Sequence, residues 1–463
     1  DNAVMEARLR IRCALRAAGF DVPRASITVN LAPGDMRKTG SGFDLPIAVA
    51  ILAATGQIPL NHLDDCLFVG ELALDGAVCP VRGEVAYQIL ARASHLILVG
   101  AHAGSHVPLA EVDHRGVDTI RRLAHGVSTL PPVTSAVSYT EVEQTERLDF
   151  SDVVGQESIK RGLAVAAVGD LGCLMIGAPG SGKTMLARRL PTILPPLSTD
   201  ELQEALCVHS VAGEPIDALL QGEVPFRRPH HSISAAGLVG GGRPVRPGEI
   251  SLAHGGVLFL DELAEFSSHV LQMLRQPMED HEVRIVRADG VYRFPAAFRL
   301  LAASNPCPCG YLGDREVPCT CAPAAIERYR AKLAGPLIDR IDLVLDVHRP
   351  DPDVIVKGES GLDSATLRAM VEAGRAFRSD RVAHERCTFD ADSKAESMAD
   401  RFSMTSDAEE ALLALAHTQH LTGRGMQRLG RIARAVADLA QEALVSATHV
   451  MEAALYQGRR GDQ

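Results

Sequence analysis

The chain has 463 residues, 46% of them hydrophobic, and a formal net charge of −11. That length points to roughly three domains, and the composition excludes general disorder. The acidic balance excludes a polyanion binder held by overall charge, although a locally basic channel remains compatible with it.

The chain opens DNAVMEARLR, without Met, inside a helix-like pattern and with no signal-peptide apolar core. It reads as a fragment lacking its first residues. No uninterrupted apolar run approaches the about 20 residues of a membrane helix. Residues 1–127 read as a compact α/β unit. A helix is expected from Met5 to Ala18, strands at Ala25–Asn30, Cys66–Val69 and Leu96–Val99, and a helix at Leu45–Ala54. Residues 128–149 are polar, with two prolines and no clear period, which suits a linker. A second α/β unit is expected over 150–350. Residues 351–405 are charged and weakly patterned, a connecting segment. From 406 to 463 the chain reads as helical, with Ile432, Val436 and Leu439 spaced by four and three.

Gly177-Ala178-Pro179-Gly180-Ser181-Gly182-Lys183-Thr184 fits G-x-x-x-x-G-K-[ST], between an apolar strand at Cys173–Ile176 and a helix beginning near Met185. Glycines let backbone N–H groups wrap phosphates, and a helix N-terminus favours their charge. Lys183 would reach the β- and γ-phosphates of ATP, and Thr184 would hold Mg²⁺. Downstream, Gly256–Leu260 is a continuous apolar run suited to a buried parallel strand. It ends in Asp261, placed to hold the metal through water, and Glu262, placed to polarise the attacking water. A third strand, Phe298–Ala303, ends at Ser304 and Asn305, whose amide would complete the hydrogen bonds to water and γ-phosphate. An Asn-Pro turn is the plainer reading of that pair.

These runs carry a resemblance. Asp152–Gln156 (DVVGQ), the P-loop, His230–Ser234 (HHSIS), Gly240–Gly242, Gly255–Glu262, Asn305–Gly310 (NPCPCG) and Leu337–Asp342 (LIDRID) resemble the magnesium-chelatase-like AAA+ proteins, and within them the bacterial ComM/YifB group. The resemblance covers nearly the whole chain. It implies an arginine finger at Arg340, reaching into a neighbour's ATP, and a second sensor arginine at Arg424. A finger acting between subunits implies a homo-oligomeric ring, a hexamer. An ordinary ion pair of Arg340 with Asp339 or Asp342 is the alternative, and Arg428, Arg431 and Arg434 read equally as the solvated face of their helix.

The N-terminal unit resembles the catalytic domain of Lon protease at Lys38–Ala48 and Gly70–Val81. That resemblance puts Gly42 at the nucleophile position and Val85 at the lysine position, so the Ser–Lys dyad is absent. Ser41 lies one residue off, and a dyad rescued by Ser41 and Lys38 is the alternative. The fold expected is therefore α/β throughout: a non-proteolytic Lon-like domain, an AAA+ P-loop core with a parallel sheet, and a C-terminal helical lid.

Of ten cysteines, six are scattered, which with no secretion signal suits the cytoplasm. The other four form Cys307-x-Cys309 and Cys319-x-Cys321, a set suited to structural tetrahedral Zn²⁺. Free thiols and disulfides are the alternatives, the latter disfavoured in a reducing compartment.

For the motor's target, His281–Phe294 reads as a β-hairpin turning at Asp289-Gly290. Arg284, Arg287 and Arg293 on it are candidate DNA phosphate contacts, and the replicative MCM helicases carry a similar hairpin. A second basic loop runs from Arg227 through Arg228, His230 and His231 to Arg243 and Arg246. Ordinary exposed surface is the competing reading of both loops. The function expected is a DNA motor, a helicase or branch-migration ATPase using ATP and Mg²⁺. The alternatives are a magnesium-chelatase motor subunit and an ATP-dependent protein remodeller. The Lon-like domain and the C-x-C pairs weigh against the chelatase, so no porphyrin partner is expected, and the missing dyad weighs against a protease.

Overall fold

A computed structural model describes residues 2–24, 26–31, 40–102, 109, 111–133, 148–288, 290–314, 316–333, 337, 340–350, 353, 356, 361–388 and 397–457, with backbone alone at 2–5, 333 and 385–388. Lys38, Asp289, Ile338, Asp339 and linker residues 134–147 lie outside the described residues.

In the N-terminal unit, helix α1 (Asn2–Ala17) packs with α2 (Asp44–Ala54) through Ile11, Ala14, Leu15, Leu45 and Leu52. A parallel sheet runs β1 (Cys66–Phe68), β2 (Ile97–Ala101), β3 (His114–Val117) in that order. The strand expected at Ala25–Asn30 does not form among its described residues. Ile27 and Val29 on one side and their polar neighbours on the other are all exposed, and an alternating segment without a partner strand has nothing to bury against.

The second unit holds a five-stranded sheet of β4 (Cys173–Ile176), β5 (Phe226–Arg227), β6 (Val257–Leu260), β9 (Arg299–Ser304) and β10 (Leu343–Asp346). Its order is β10-β4-β9-β6-β5, all parallel. Strand β6 is apolar on both faces because both are covered. Val257 and Phe259 face the core formed with α4 (Glu157–Gly169) and α5 (Lys183–Ile193), and Leu258 and Leu260 face Leu263, Phe266 and Val270. The hairpin β7 (Glu282–Arg287) and β8 (Gly290–Pro295) precedes β9. Arg287 pairs with Gly290, so Gly290 begins the returning strand, while Asp289, the other residue of the expected turn, lies outside the described residues.

Residues 351–405 do not form a plain connector. Beyond α7 (Pro323–Leu333), helix α8 (Ser364–Thr388) lies within them, burying Leu367 and Val371 against α4, α5 and the later helix α10. Only a narrow apolar stripe is needed on one face of a charged helix, which hid it. Helices α9 (Ser406–Thr418), α10 (Gly423–Leu439) and α11 (Ala447–Leu455) follow, with Ile432, Val436 and Leu439 buried. The two units meet where α3 (Glu84–Ala93) lies on α6 (Thr199–Ala212). There Arg92 donates to Gln203 at 2.7 Å, and Val85 is buried with Ala205, Leu206, Ile216 and Leu219. No helix among the described residues is long and apolar enough to cross a membrane.

Candidate functional site

Three neighbouring strands end together. Register pairs Leu260 with Ala302 and Ile176 with Ser304, so the residues following β4, β6 and β9 share one edge. The P-loop leaves β4 there. A Cβ on Gly177 would stand 2.2 Å from the Val347 carbonyl oxygen, so only glycine fits. Gly180 (φ +78°) and Gly182 (φ +93°) hold left-handed backbone and face open space. Gly182 caps α5 without a side-chain acceptor, leaving first-turn N–H groups directed outward.

Lys183 donates through Nζ to the carbonyls of Gly177 (2.7 Å) and Ala178 (3.0 Å) and to Asn305 Oδ1 (3.2 Å). Burial lowers its pKa, while Asp261 and Glu262 act the other way. Thr184 Oγ1 donates to Asp261 Oδ2 at 3.1 Å, so two hard oxygens suited to Mg²⁺ sit side by side. The Ser181 hydroxyl in the same loop is buried and has no hydrogen-bond partner among the described residues. Open glycine faces, an uncapped helix start, an orphaned hydroxyl and the Thr184–Asp261 pair fit a magnesium nucleotide. Glu262 stands beside them with its side chain exposed and its backbone left-handed (φ +54°, ψ +50°), a strained conformation that clusters at functional sites.

Two further residues reach this edge and were not read as part of it. Arg228 Nη2 donates to Asp261 Oδ2 at 2.6 Å, with its guanidinium 5.8 Å from the Phe259 ring centre. His231 Nδ1 lies 3.7 Å from Glu262 Oε2. The basic loop starting at Arg227 is thus corrected at its beginning. Arg227 is held by Glu249 (2.7 Å) and Glu214 (3.3 Å), and Arg228 and His231, though solvent-accessible, turn toward Asp261 and Glu262. The signal available was positional, because the residue after β5 must emerge beside β6.

Among the described residues, neither Arg340 nor Arg424 contacts the P-loop of its own chain. Arg340 pairs with Glu279, not with Asp342, and Arg424 is exposed in the first turn of α10. Asp342 is held by Arg431 at 2.7 Å. Arg428 and Arg434 are buried, which overturns the solvated-face reading for both. Arg428 reaches the Ile341 carbonyl at 3.5 Å, and Arg434 donates to Asp438 at 3.1 Å and to the Ala443 carbonyl at 2.8 Å.

On the hairpin, Arg284 and Arg293 stand directly opposite each other and exposed, flanked by the exposed pair Val286 and Val291. Arg287 lies on the other face and donates to the Gly242 carbonyl. In the N-terminal unit a side chain at Gly42 would meet Val69, Val81 and the Tyr87 hydroxyl. Ser41 donates to Glu71. Ser41 is thus engaged with a carboxylate, and Lys38, its partner in the alternative dyad, lies outside the described residues.

The four clustered cysteines converge, with all Sγ atoms within 4.8 Å. Sulfurs on one tetrahedral zinc at about 2.3 Å stand about 3.8 Å apart, whereas a disulfide measures about 2.0 Å. Separations here are 3.4 Å (Cys307–Cys309), 3.5 Å (Cys309–Cys319) and 3.7 Å (Cys307–Cys319). The donor set and its spacing fit Zn²⁺. Backbone N–H groups of Tyr311 and Thr320 pull the Cys309 thiol down to about 6.

A parallel sheet in this order, with a glycine-rich phosphate loop after β4, paired carboxylates after β6 and an amide after β9, defines a P-loop nucleoside triphosphatase of the AAA+ class. Comparison with known proteins carries this further. The family described as magnesium chelatase, subunit ChlI, matches residues 149–354. Its companion ChlI descriptions match 1–101 and, as the C-terminal part, 361–457. YifB of Escherichia coli is 38% identical over 98% of this chain and 90% of its own length. Competence protein ComM of Haemophilus influenzae is 37% identical over the same shares. The magnesium-chelatase 38 kDa subunit of Rhodobacter capsulatus is 30% identical over 34% of this chain and 50% of its own. The chain belongs to the magnesium-chelatase-like AAA+ ATPases of the ComM/YifB group.

Proposed function

We propose that this chain is one subunit of a hexameric ATP-driven ring in the cytoplasm that translocates on DNA, a helicase or branch-migration motor of recombination. The hydrolytic half rests on the P-loop edge. Bound Mg²⁺ supplies charge neutralisation and orients the phosphates. Thr184 and Asp261 hold it, Lys183 binds the β- and γ-phosphates, Glu262 takes the proton of the attacking water, and Asn305 orients that water. Arg340 turns from Glu279 toward the neighbouring subunit's nucleotide, and Arg424 senses the nucleotide from α10. Zinc on Cys307, Cys309, Cys319 and Cys321 shapes the loop after Asn305. The unit at 1–127 is a non-proteolytic Lon-like platform.

The observation that carries the DNA half is the Arg284–Arg293 pair. Like charges directly opposite on a hairpin cost stability; Glu282, 3.8 Å from Arg293, offsets part of that cost, and an anionic phosphate backbone would relieve the rest. Arg287, bonded to Gly242, ties the same hairpin to the loop that begins at Arg228 beside Asp261, a route from hydrolysis to hairpin movement. The competence name of the relative ComM agrees with this reading. The test is the ATPase rate with and without single-stranded and forked DNA at two salt concentrations, in the wild type and in Arg284→Ala/Arg293→Ala. Salt-sensitive stimulation that the double variant loses is expected. Hydrolysis indifferent to DNA would move the assignment to a protein remodeller or a chelatase-type motor.

A further inference from the structure

The four-cysteine loop is built onto the nucleotide site. Cys307 lies two residues beyond Asn305, the amide that accepts from Lys183, and the loop then returns to the P-loop. Gly310 (φ +86°) sits so near it that an added Cβ would meet Pro179 Cδ at 2.6 Å and Asn305 Cγ at 3.7 Å. Arg349, just past β10, spans the remaining gap. Its Nη2 donates to the Pro179 carbonyl at 3.2 Å, its Nε lies 3.5 Å from Asp314 and its Nη1 3.5 Å from Glu316. The guanidinium carbon stands 5.6 Å from the Tyr311 ring centre. Asp314 is held in place by the N–H groups of Glu316 (2.9 Å) and Val317 (3.0 Å). The P-loop is thus braced from its outer side by residues lying between the two cysteine pairs.

The four sulfurs join the two ends of this loop, whose middle is held by Arg349 and by the turn at Asp314. Cys307 is fully buried, whereas most of the described residues from 308 to 321 are partly or wholly exposed, Gly310 and the Asp314 side chain excepted. A polar loop of this kind takes its shape from its metal, because metal binding and folding of the ligand segment are one event.

We propose that the metal at Cys307, Cys309, Cys319 and Cys321 is a positioning element of the ATP site, acting through Gly310 and through Arg349 as its strut. This rests on the zinc and ATPase readings above. With Zn²⁺ bound, Gly310 is held against Pro179 and Asn305 and fixes the P-loop and the water-orienting amide together. Without it the brace is lost and nucleotide affinity falls.

The experiment uses the full chain. Zinc content is measured by elemental analysis and affinity by titration with a fluorescent ATP analogue, before and after zinc removal, for wild type, Cys319→Ser/Cys321→Ser and Arg349→Gln. One zinc per chain is expected in the wild type, with a loss of affinity of tenfold or more on removal and recovery when Zn²⁺ is returned. Arg349→Gln should keep its zinc, bind the analogue several-fold more weakly, and respond less to zinc removal. Arg349→Lys, which keeps the positive charge beside Asp314 and Glu316, should recover part of that loss. Should the double cysteine variant not fold, Arg349→Gln decides alone, since unchanged affinity there overturns the proposal. It is also overturned by a chain that hydrolyses ATP yet carries no zinc, or binds the analogue equally well without it. A zinc-loaded chain that neither binds nor hydrolyses ATP overturns the ATPase reading as well.

Discussion

Arg228 Nη2 donates to Asp261 Oδ2 at 2.6 Å, on the same carboxylate oxygen that accepts from Thr184 Oγ1 at 3.1 Å. A guanidinium therefore already engages the carboxylate on which Mg²⁺ coordination depends. The two cations compete for one acceptor. A half-exposed pair of this kind contributes up to about 1 kcal/mol, which is up to about fivefold in an equilibrium constant. Arg228→Gln is expected to lower the Mg²⁺ concentration for half-maximal hydrolysis by a factor within that range. A metal titration of ATPase rate measures it, and an unchanged midpoint would separate Arg228 from the metal site.

Glu262 and Lys183 act at different stages, and their variants should differ accordingly. Glu262→Gln keeps the side chain's shape and the strained backbone but removes the proton acceptor. Hydrolysis should fall by about 100-fold or more while nucleotide affinity is kept. Lys183→Ala removes the cation that links the Gly177 and Ala178 carbonyls to Asn305, so affinity itself should fall. Equal losses of affinity in both variants would contradict the division of roles.

Arg340, paired with Glu279 within its own chain, should matter only across a subunit boundary. Arg340→Ala is expected to retain nucleotide binding and to lose hydrolysis by about 1,000-fold, the scale of an arginine finger. Mixing it with Lys183→Ala subunits pairs an intact P-loop with an intact arginine at some interfaces. In a randomly mixed ring about a quarter of the sites should recover. No recovery on mixing, with rings formed, would place Arg340 in a structural role.

The parts of the site legible in the sequence were those whose chemistry is local. Glycine at 177, 180 and 182 between a strand and a helix fixes a phosphate loop without reference to the rest of the chain, and Asp261 and Glu262 end a run apolar on both faces. Arg228 and His231 were illegible because β5 is two residues long and has no period of its own. It exists through its register with Val257 and Leu258. Arg428 and Arg434 carry the signature of a solvated face, and only their docking against Ile341, Asp438 and the Ala443 carbonyl makes them interior residues. The segment around Ile27 and Val29 failed in the opposite sense. It has the alternation of a strand, and its described residues find no partner.

Asp170 ends α4 in left-handed backbone (φ +52°) and gathers three arginines from two other elements. Arg299 of β9 lies at 2.7 Å and Arg378 of α8 at 2.8 Å, with Arg375 of α8 also paired to it. Burial pushes its carboxyl up, but Arg299, Arg375 and Arg378 outweigh burial and hold it below the usual carboxylate range. A folded-state value below the unfolded one adds stability above the unfolded value, about 3.9, and that stability is lost as pH falls through the folded value. Asp170→Asn removes the charge and keeps a residue that tolerates left-handed backbone. With the carboxylate half exposed, solvent screening limits the effect to about 1 kcal/mol at neutral pH. The wild-type and variant urea midpoints should therefore differ at pH 7 and converge as pH is lowered below about 4. A difference that stays constant over that range would mean that backbone geometry, and not the three-arginine cluster, makes Asp170 matter.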